Sequence, residues 1–203
     1  GDVAALVDRL LSDLAQQVRR RGLVFLISDC FDDVKGLITG IKHLRFCGHE
    51  VTVYNRTATK SQAWCAEFAR TAKPAQAATP KLAVTDADMV FACVGNDDDL
   101  RSITLGADGA FAGMKPGAIF VDHTTASAEV ARELYAASKA KGLQFIDAPV
   151  SGGQAGAQNG LLTVMCGGDL AAFDTARPVA MAFARALSRI GEGGTVQLAK
   201  VLK

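Results

Sequence analysis

Along the start of the chain the apolar positions fall at Val3, Leu6, Val7, Leu10, Leu11, Leu14 and Val18, the spacing of one helical face. Arg19, Arg20 and Arg21 followed by Gly22 mark where that helix stops. The period then changes. Residues 23–28 form a short apolar run between polar neighbours, as a strand buried on both faces requires. Asp32 or Asp33 caps a following helix that runs to about residue 46, Gly48 ends it, and residues 51–54 make the next strand. The alternation continues with a helix over 61–71, a strand over 89–94, a helical turn over 97–105 and a strand over 118–121. A helix over 127–140, strands over 143–146 and 161–166, and a helix over 170–188 complete it. Strands alternating with helices at this spacing predict an α/β fold: a doubly wound, mostly parallel sheet with helices on both faces.

At 203 residues and 49% hydrophobic, the chain can bury a full-sized core, and one compact domain over residues 1–203 is expected. Lys+Arg 22 against Asp+Glu 21 leaves a formal charge of +1, without the basic stripe that nucleic acid or a membrane surface demands, so small-molecule partners are expected. Cys30, Cys47, Cys65, Cys93 and Cys166 stand singly, which fits a reducing cytoplasm better than a disulfide framework or a zinc site. No apolar run approaches the roughly 20 residues that span a bilayer. A soluble, cytoplasmic protein is expected, and a chain opening on Gly1 fits removal of upstream sequence.

Two stretches change the picture: GHEVTVYNRT at 48–57 and DAPVSGGQAGAQNGLLTVMCGG at 147–168. From Gly48 onward the chain resembles the cofactor-binding domain of the β-hydroxyacid dehydrogenase family, which includes 3-hydroxyisobutyrate dehydrogenase and the glyoxylate/succinic semialdehyde reductases. The resemblance implies a Rossmann-like domain in which Ser151, Gly152 and Gly153 grip a substrate carboxylate; glycines let backbone amides approach an anion closely. A tight strand-to-loop turn is the other reading of those glycines. Lys200, in GGTVQLAK, matches the family's catalytic lysine and would donate a proton to, or polarise, the carbonyl; a solvated helix lysine is its plain alternative. Asn55, Arg56 and Thr57 follow the second strand, where an acid binds the ribose 2′-hydroxyl and an arginine favours a 2′-phosphate, so NADP is expected over NAD. Arg56 read as a solvated loop residue is the alternative. Val94, Gly95, Asn96 and Thr124 match positions lining the dinucleotide and nicotinamide side, and serve equally as turn or capping residues. His123 reads as a loop histidine, with no second ligand at metal spacing beside it.

The chain also departs from that family. Its first strand leads into LISDCFDD, with Asp29, Asp32 and Asp33 where a GxGxMG turn belongs. The family continues past the position of Lys203 into a helical substrate and dimerisation domain, and the asparagine expected one turn after Lys200 is missing. Residues 1–50 resemble instead the last part of a bacterial domain related to von Willebrand factor A domains, in which a strand ends in Ser-Asp. The DxSxS loop supplying most Mg²⁺ ligands there is absent, so no metal site is expected around Asp29. The two resemblances meet at residues 48–51, which implies an engineered chimera without a substrate domain or catalytic activity. A carboxylate about 4 Å from a phosphate charge costs ~4 kcal/mol at an effective dielectric near 20, whereas an exposed helix N-terminus returns only about 0.3–1 kcal/mol. NADP binding is therefore expected to be weak or lost. Two other functions stand beside this one: a residual NADP-dependent 3-hydroxyacid dehydrogenase or semialdehyde reductase, and a Mg²⁺-dependent adhesion module. The helix over 3–18 is expected to dock on the sheet, and the tail over 196–203 to fray or pack on a second copy.

Overall fold

The structure, a computed structural model, describes residues 22–27, 50–69 and 75–197. The predicted helices over 3–18 and 33–46, the acids Asp29, Asp32 and Asp33, Lys200 and most of the tail lie outside these residues.

A strand β1 (Gly22–Ile27) pairs parallel with β2 (Glu50–Tyr54) on one side and with β4 (Met89–Cys93) on the other, with Phe25 opposite both Val53 and Phe91. Beyond β2 lies a two-residue strand β3 (Ala75–Gln76), and beyond β4 come β5 (Ile119–Asp122) and β6 (Gln144–Asp147), all parallel. Then the direction reverses: β8 (Leu162–Gly168) runs antiparallel to β6 and to the short β7 (Val150–Ser151), and β9 (Ala184–Gly191) pairs parallel with β8. The order β3-β2-β1-β4-β5-β6-β8-β7 is the doubly wound sheet expected from the alternation of periods, parallel from β3 to β6 and made mixed by the antiparallel β8.

Side-chain alternation divides the core in two. Val51, Val53, Met89, Phe91, Ile119, Val121 and Ile146 face a layer made by Trp64 of α1 (Ala58–Phe68) and by Ala172, Phe173, Ala176 and Val179 of α6 (Leu170–Ala180). Val90, Ala92, Phe120 and Phe145 face the opposite layer, where α3 (Asp97–Leu105) contributes Leu100 and Ile103 and α4 (Ala128–Ala140) contributes Val130 and Leu134. Every residue of β5 is buried, which is why IFVD reads as a continuous run instead of an alternating one. Local chemistry sets the helix starts. Thr79, Asn96 and Ser127 each accept a hydrogen bond from a backbone N–H three residues on, and Pro80 opens the short α2 (Pro80–Ala83).

The chain corrects one element. The expected helix over 170–188 ends at Ala180, two residues past Pro178; residues 181–183 form a turn and the rest belongs to β9. Ala184, Ala186 and Leu187 continue an alanine-rich, helix-compatible pattern, but they lie opposite Leu162, Thr163 and Val164 on the open edge of β8. Pairing along that edge satisfies backbone groups that an extended helix would leave exposed on the sheet, so tertiary context overrides local propensity.

Candidate functional site

The carboxyl ends of β2, β1, β4, β5 and β6 form one edge of the sheet, with the strand order reversing between β1 and β4; ligands of doubly wound folds bind at such an edge. After β2, Asn55 is buried, and its Oδ1 accepts a hydrogen bond from the Thr57 N–H at 2.7 Å, fixing the turn into α1. Arg56 projects outward, 58% exposed, and its Nη1 meets Asp99 Oδ1 at 2.7 Å. Asp99 sits on the first turn of α3, where Asn96 Oδ1 accepts from its N–H at 2.9 Å and Asn96 Nδ2 donates to its Oδ2 at 3.2 Å. The tips of β2 and β4, which flank β1, are thereby clasped across the end of that central strand.

At the next pair of tips the polar atoms bind one another. Val94 is buried and its N–H donates to Thr124 Oγ1 at 3.1 Å, and the Thr124 N–H donates to Asp122 Oδ1 at 2.9 Å. Gly95 lies exposed between the buried Val94 and the capping Asn96. His123 is a loop residue, as expected, directly after β5, and it is buried: it continues the face of Ile119 and Val121, lies stacked 5.9 Å from Phe91 and meets Phe183 edge-on at 5.5 Å. Its Nδ1 lies 2.7 Å from the Ala148 carbonyl, which makes Nδ1 the protonated nitrogen, and Nε2 is buried without a partner. Burial pushes its pKa down to about 4, so the ring is neutral at physiological pH.

On the other face of the same strands, Asp122 and Asp147 stand opposite each other in the β5–β6 register, both fully buried. Burial, reinforced by Asp147, pushes the Asp122 carboxyl up to about 7, and its Oδ2 has no partner. Burial also raises Asp147, against the hydrogen bonds it accepts. Those bonds anchor the last described segment: the Gly194 N–H donates to Oδ1 at 2.8 Å and the Val196 N–H to Oδ2 at 3.1 Å. Gln197, also buried, donates to the Thr124 carbonyl at 2.8 Å and accepts from the Ala126 N–H at 3.3 Å. Gly193 and Gly194 let this strap lie on α4, because a Cβ at the first would overlap the Tyr135 ring and at the second the Arg132 backbone and side chain.

Ser151 ends β7 opposite Thr163, and Gly152 and Gly153 turn the chain at φ +126° and +56° into α5 (Gly153–Gln158); all three are exposed. The segment follows directly from the carboxyl end of β6, where the Ala148 N–H donates to the Asp122 carbonyl at 2.7 Å. The structure thus brings residues 55–57, 94–96, 123–124 and 151–153 to one edge of the sheet. Lys200, three positions beyond Gln197 in sequence, is outside the described residues. Sequence reasoning did not single out Asp99, Asp122, Asp147 or Gln197. Asp147 and Gln197 nevertheless stood inside the stretches that carried the resemblance, DAPVSGG and GGTVQLAK, and Asp122 stood two residues before Thr124. Among the described residues no group of three or more His, Cys, Asp or Glu is placed to hold a metal ion, and no helix is long and apolar enough to cross a membrane.

The strand order and this polar edge define a Rossmann-like domain of the dinucleotide-binding class. Residues 41–191 match the family described as the NAD binding domain of 6-phosphogluconate dehydrogenase, and the chain belongs to that family. An uncharacterized oxidoreductase of Shewanella frigidimarina is 53% identical over 160 residues, covering 79% of this chain and 54% of that protein. A probable 3-hydroxyisobutyrate dehydrogenase-like mitochondrial protein of Arabidopsis thaliana is 38% identical over 160 residues, 78% of this chain and 52% of its own length. The solved structure of Mycobacterium tuberculosis 3-hydroxyisobutyrate dehydrogenase with L-serine is similar at a TM-score of 0.77 and 28% identity, covering 91% of this chain and 59% of that one. The chain spans about half the length of the curated relatives it matches. These comparisons give no support to a von Willebrand A-like origin for residues 1–50 or to an engineered chimera. The family match begins at residue 41, upstream of the supposed junction at 48–51, and β1 occupies the central first-strand place beside β2 and β4.

Proposed function

We propose that the chain is the dinucleotide-binding part of an NAD(P)-dependent oxidoreductase acting on a small 3-hydroxy acid or the corresponding semialdehyde, with NADP favoured over NAD. The observation that carries this reading is that Arg56 follows β2 and Gly95 follows β4, the two strands that flank β1 where the strand order reverses. The residues fit a dinucleotide in two respects: an exposed guanidinium stands at the β2 tip, and a neutral imidazole nitrogen at the β5 end has an unused lone pair. When bound, the nicotinamide supplies or accepts the hydride. In this reading Asn55, Arg56 and Thr57 hold the adenosine ribose, and Val94, Gly95, Asn96 and Thr124 shape the wall along which the cofactor lies. The Ser151, Gly152 and Gly153 backbone amides receive the substrate carboxylate, and Lys200 holds the proton exchanged with the substrate oxygen. Residues 1–203 act as one Rossmann-like domain.

Asp29, Asp32 and Asp33 follow β1 in sequence, where a diphosphate would be held, and they set the expected affinity. A single carboxylate about 4 Å from phosphate costs ~4 kcal/mol at a dielectric near 20, so the dissociation constant is expected near a millimolar and not in the low micromolar range. Titration with NADPH, followed by its fluorescence and by calorimetry, tests this; saturable binding is expected, and no saturation at several millimolar refutes the reading. Oxidation of NADPH in the presence of glyoxylate or succinic semialdehyde then tests the substrate class.

A further inference from the structure

We propose that Asp99 sets the cofactor preference of this domain: its carboxylate, fixed beside Arg56 at the tip of β2, narrows the NADP-over-NAD margin that Arg56 alone would give. The inference rests on the dinucleotide reading above and deepens it.

Three acids open α3, and the structure gives each a different partner. Asp97 Oδ1 accepts from the Ser127 N–H at 2.9 Å, Asp98 points to solvent with Arg101 Nη1 at 3.4 Å, and Asp99 alone turns to Arg56, at 2.7 Å. Asp99, its side chain 21% exposed, is also held in place: Asn96 Nδ2 donates to its Oδ2, and Asn96 Oδ1 accepts from its backbone N–H. Its carboxylate is therefore a positioned charge, not one that swings away when another anion arrives. A 2′-phosphate recruited by the Arg56 fork competes with Asp99 for the same cation and stands close to a like charge. A 2′-hydroxyl carries no charge, and a carboxylate accepts a hydrogen bond from it. The cost of Asp99 falls on NADP alone.

The experiment measures dissociation constants of NADP+ and NAD+ by calorimetry and by displacement of NADPH, for the wild type, Asp99→Asn, Asp98→Asn, Arg56→Ala and the Arg56→Ala/Asp99→Asn double variant. Asp99→Asn is expected to tighten NADP+ relative to NAD+ by about three- to tenfold, and the gain to shrink as salt rises. Asp98→Asn makes the same change of net charge one residue away and is expected to leave the ratio within twofold. Arg56→Ala is expected to bring the ratio near one, and Asp99→Asn to add nothing on that background. The proposal is overturned if Asp99→Asn leaves the ratio unchanged at an unchanged melting temperature, if Asp98→Asn shifts it as much, or if both nucleotides tighten equally. A wild type that binds neither nucleotide refutes the dinucleotide reading itself and this inference with it.

Discussion

Replacing Asp122 with Asn removes a carboxyl that the fold keeps protonated, and the consequence is a change in how stability depends on pH. Asp122 has no exposed surface, faces Asp147 across the strand pair and feels Asp97 at longer range. Its pKa rises from 3.8 to about 7. Between those two values the native state holds a proton that the unfolded chain has released. The stability this contributes is whole below pH about 4 and is lost as pH rises to about 7. Three pH units at about 1.4 kcal/mol each set an upper bound of ~4 kcal/mol, and a relaxed interior reduces it to about 2–4 kcal/mol. Asn keeps the oxygen that accepts from the Thr124 N–H, so urea unfolding from pH 4 to 8 compares like with like. Relative to the wild type, Asp122→Asn is expected to gain about 2–4 kcal/mol over that range. His123, on the opposite face, has the contrary sign: its pKa falls from 6.5 to about 4, so its contribution is whole above 6.5 and lost on acidification through 4. His123→Phe should therefore lose less stability than the wild type below pH 6. A flat difference curve for Asp122→Asn across pH 4 to 8 would refute the claim that this carboxyl is protonated in the folded protein.

Removing the Asp147 carboxylate by Asp147→Ala strands two buried N–H groups, those of Gly194 and Val196, and is expected to cost about 3–5 kcal/mol. Hydrogen exchange should quicken at those two amides before the rest of the sheet opens. Gly194→Ala should destabilise by more than 1 kcal/mol in chemical denaturation, since its φ of +80° and the Arg132 backbone both oppose a Cβ. Leu134→Ala, at a fully buried site on α4, is expected to cost about 2–5 kcal/mol in the same assay. Cys166, pushed up to about 12 by burial, should stay unreacted with a thiol reagent at pH 8 in the folded protein and react on unfolding.

Much of the fold is legible because burial imprints a period on neighbouring residues. The runs at 23–28, 89–94 and 118–121 state their own strands, and Asn96 and Ser127 state the starts of α3 and α4. The double-glycine turn at 152–153 is equally local, because its dihedral angles exclude most other residues. The end of α6 is not local: residues 184–191 suit a helix until the free edge of β8 is there to pair with them.

The amino-acid order by itself determined the alternation of elements, the doubly wound class and the polar residues that follow each strand. Tertiary structure alone decided which of those residues meet. Arg56 and Asp99 are 43 positions apart, and Asp147 lies 47 and 49 positions from the amides it holds. Such pairs depend on which strands become neighbours and on where their ends fall, and a hydrophobic period carries no information about either. The burial that holds His123 neutral and Asp122 protonated arises in the same way, from layers packed by distant parts of the chain.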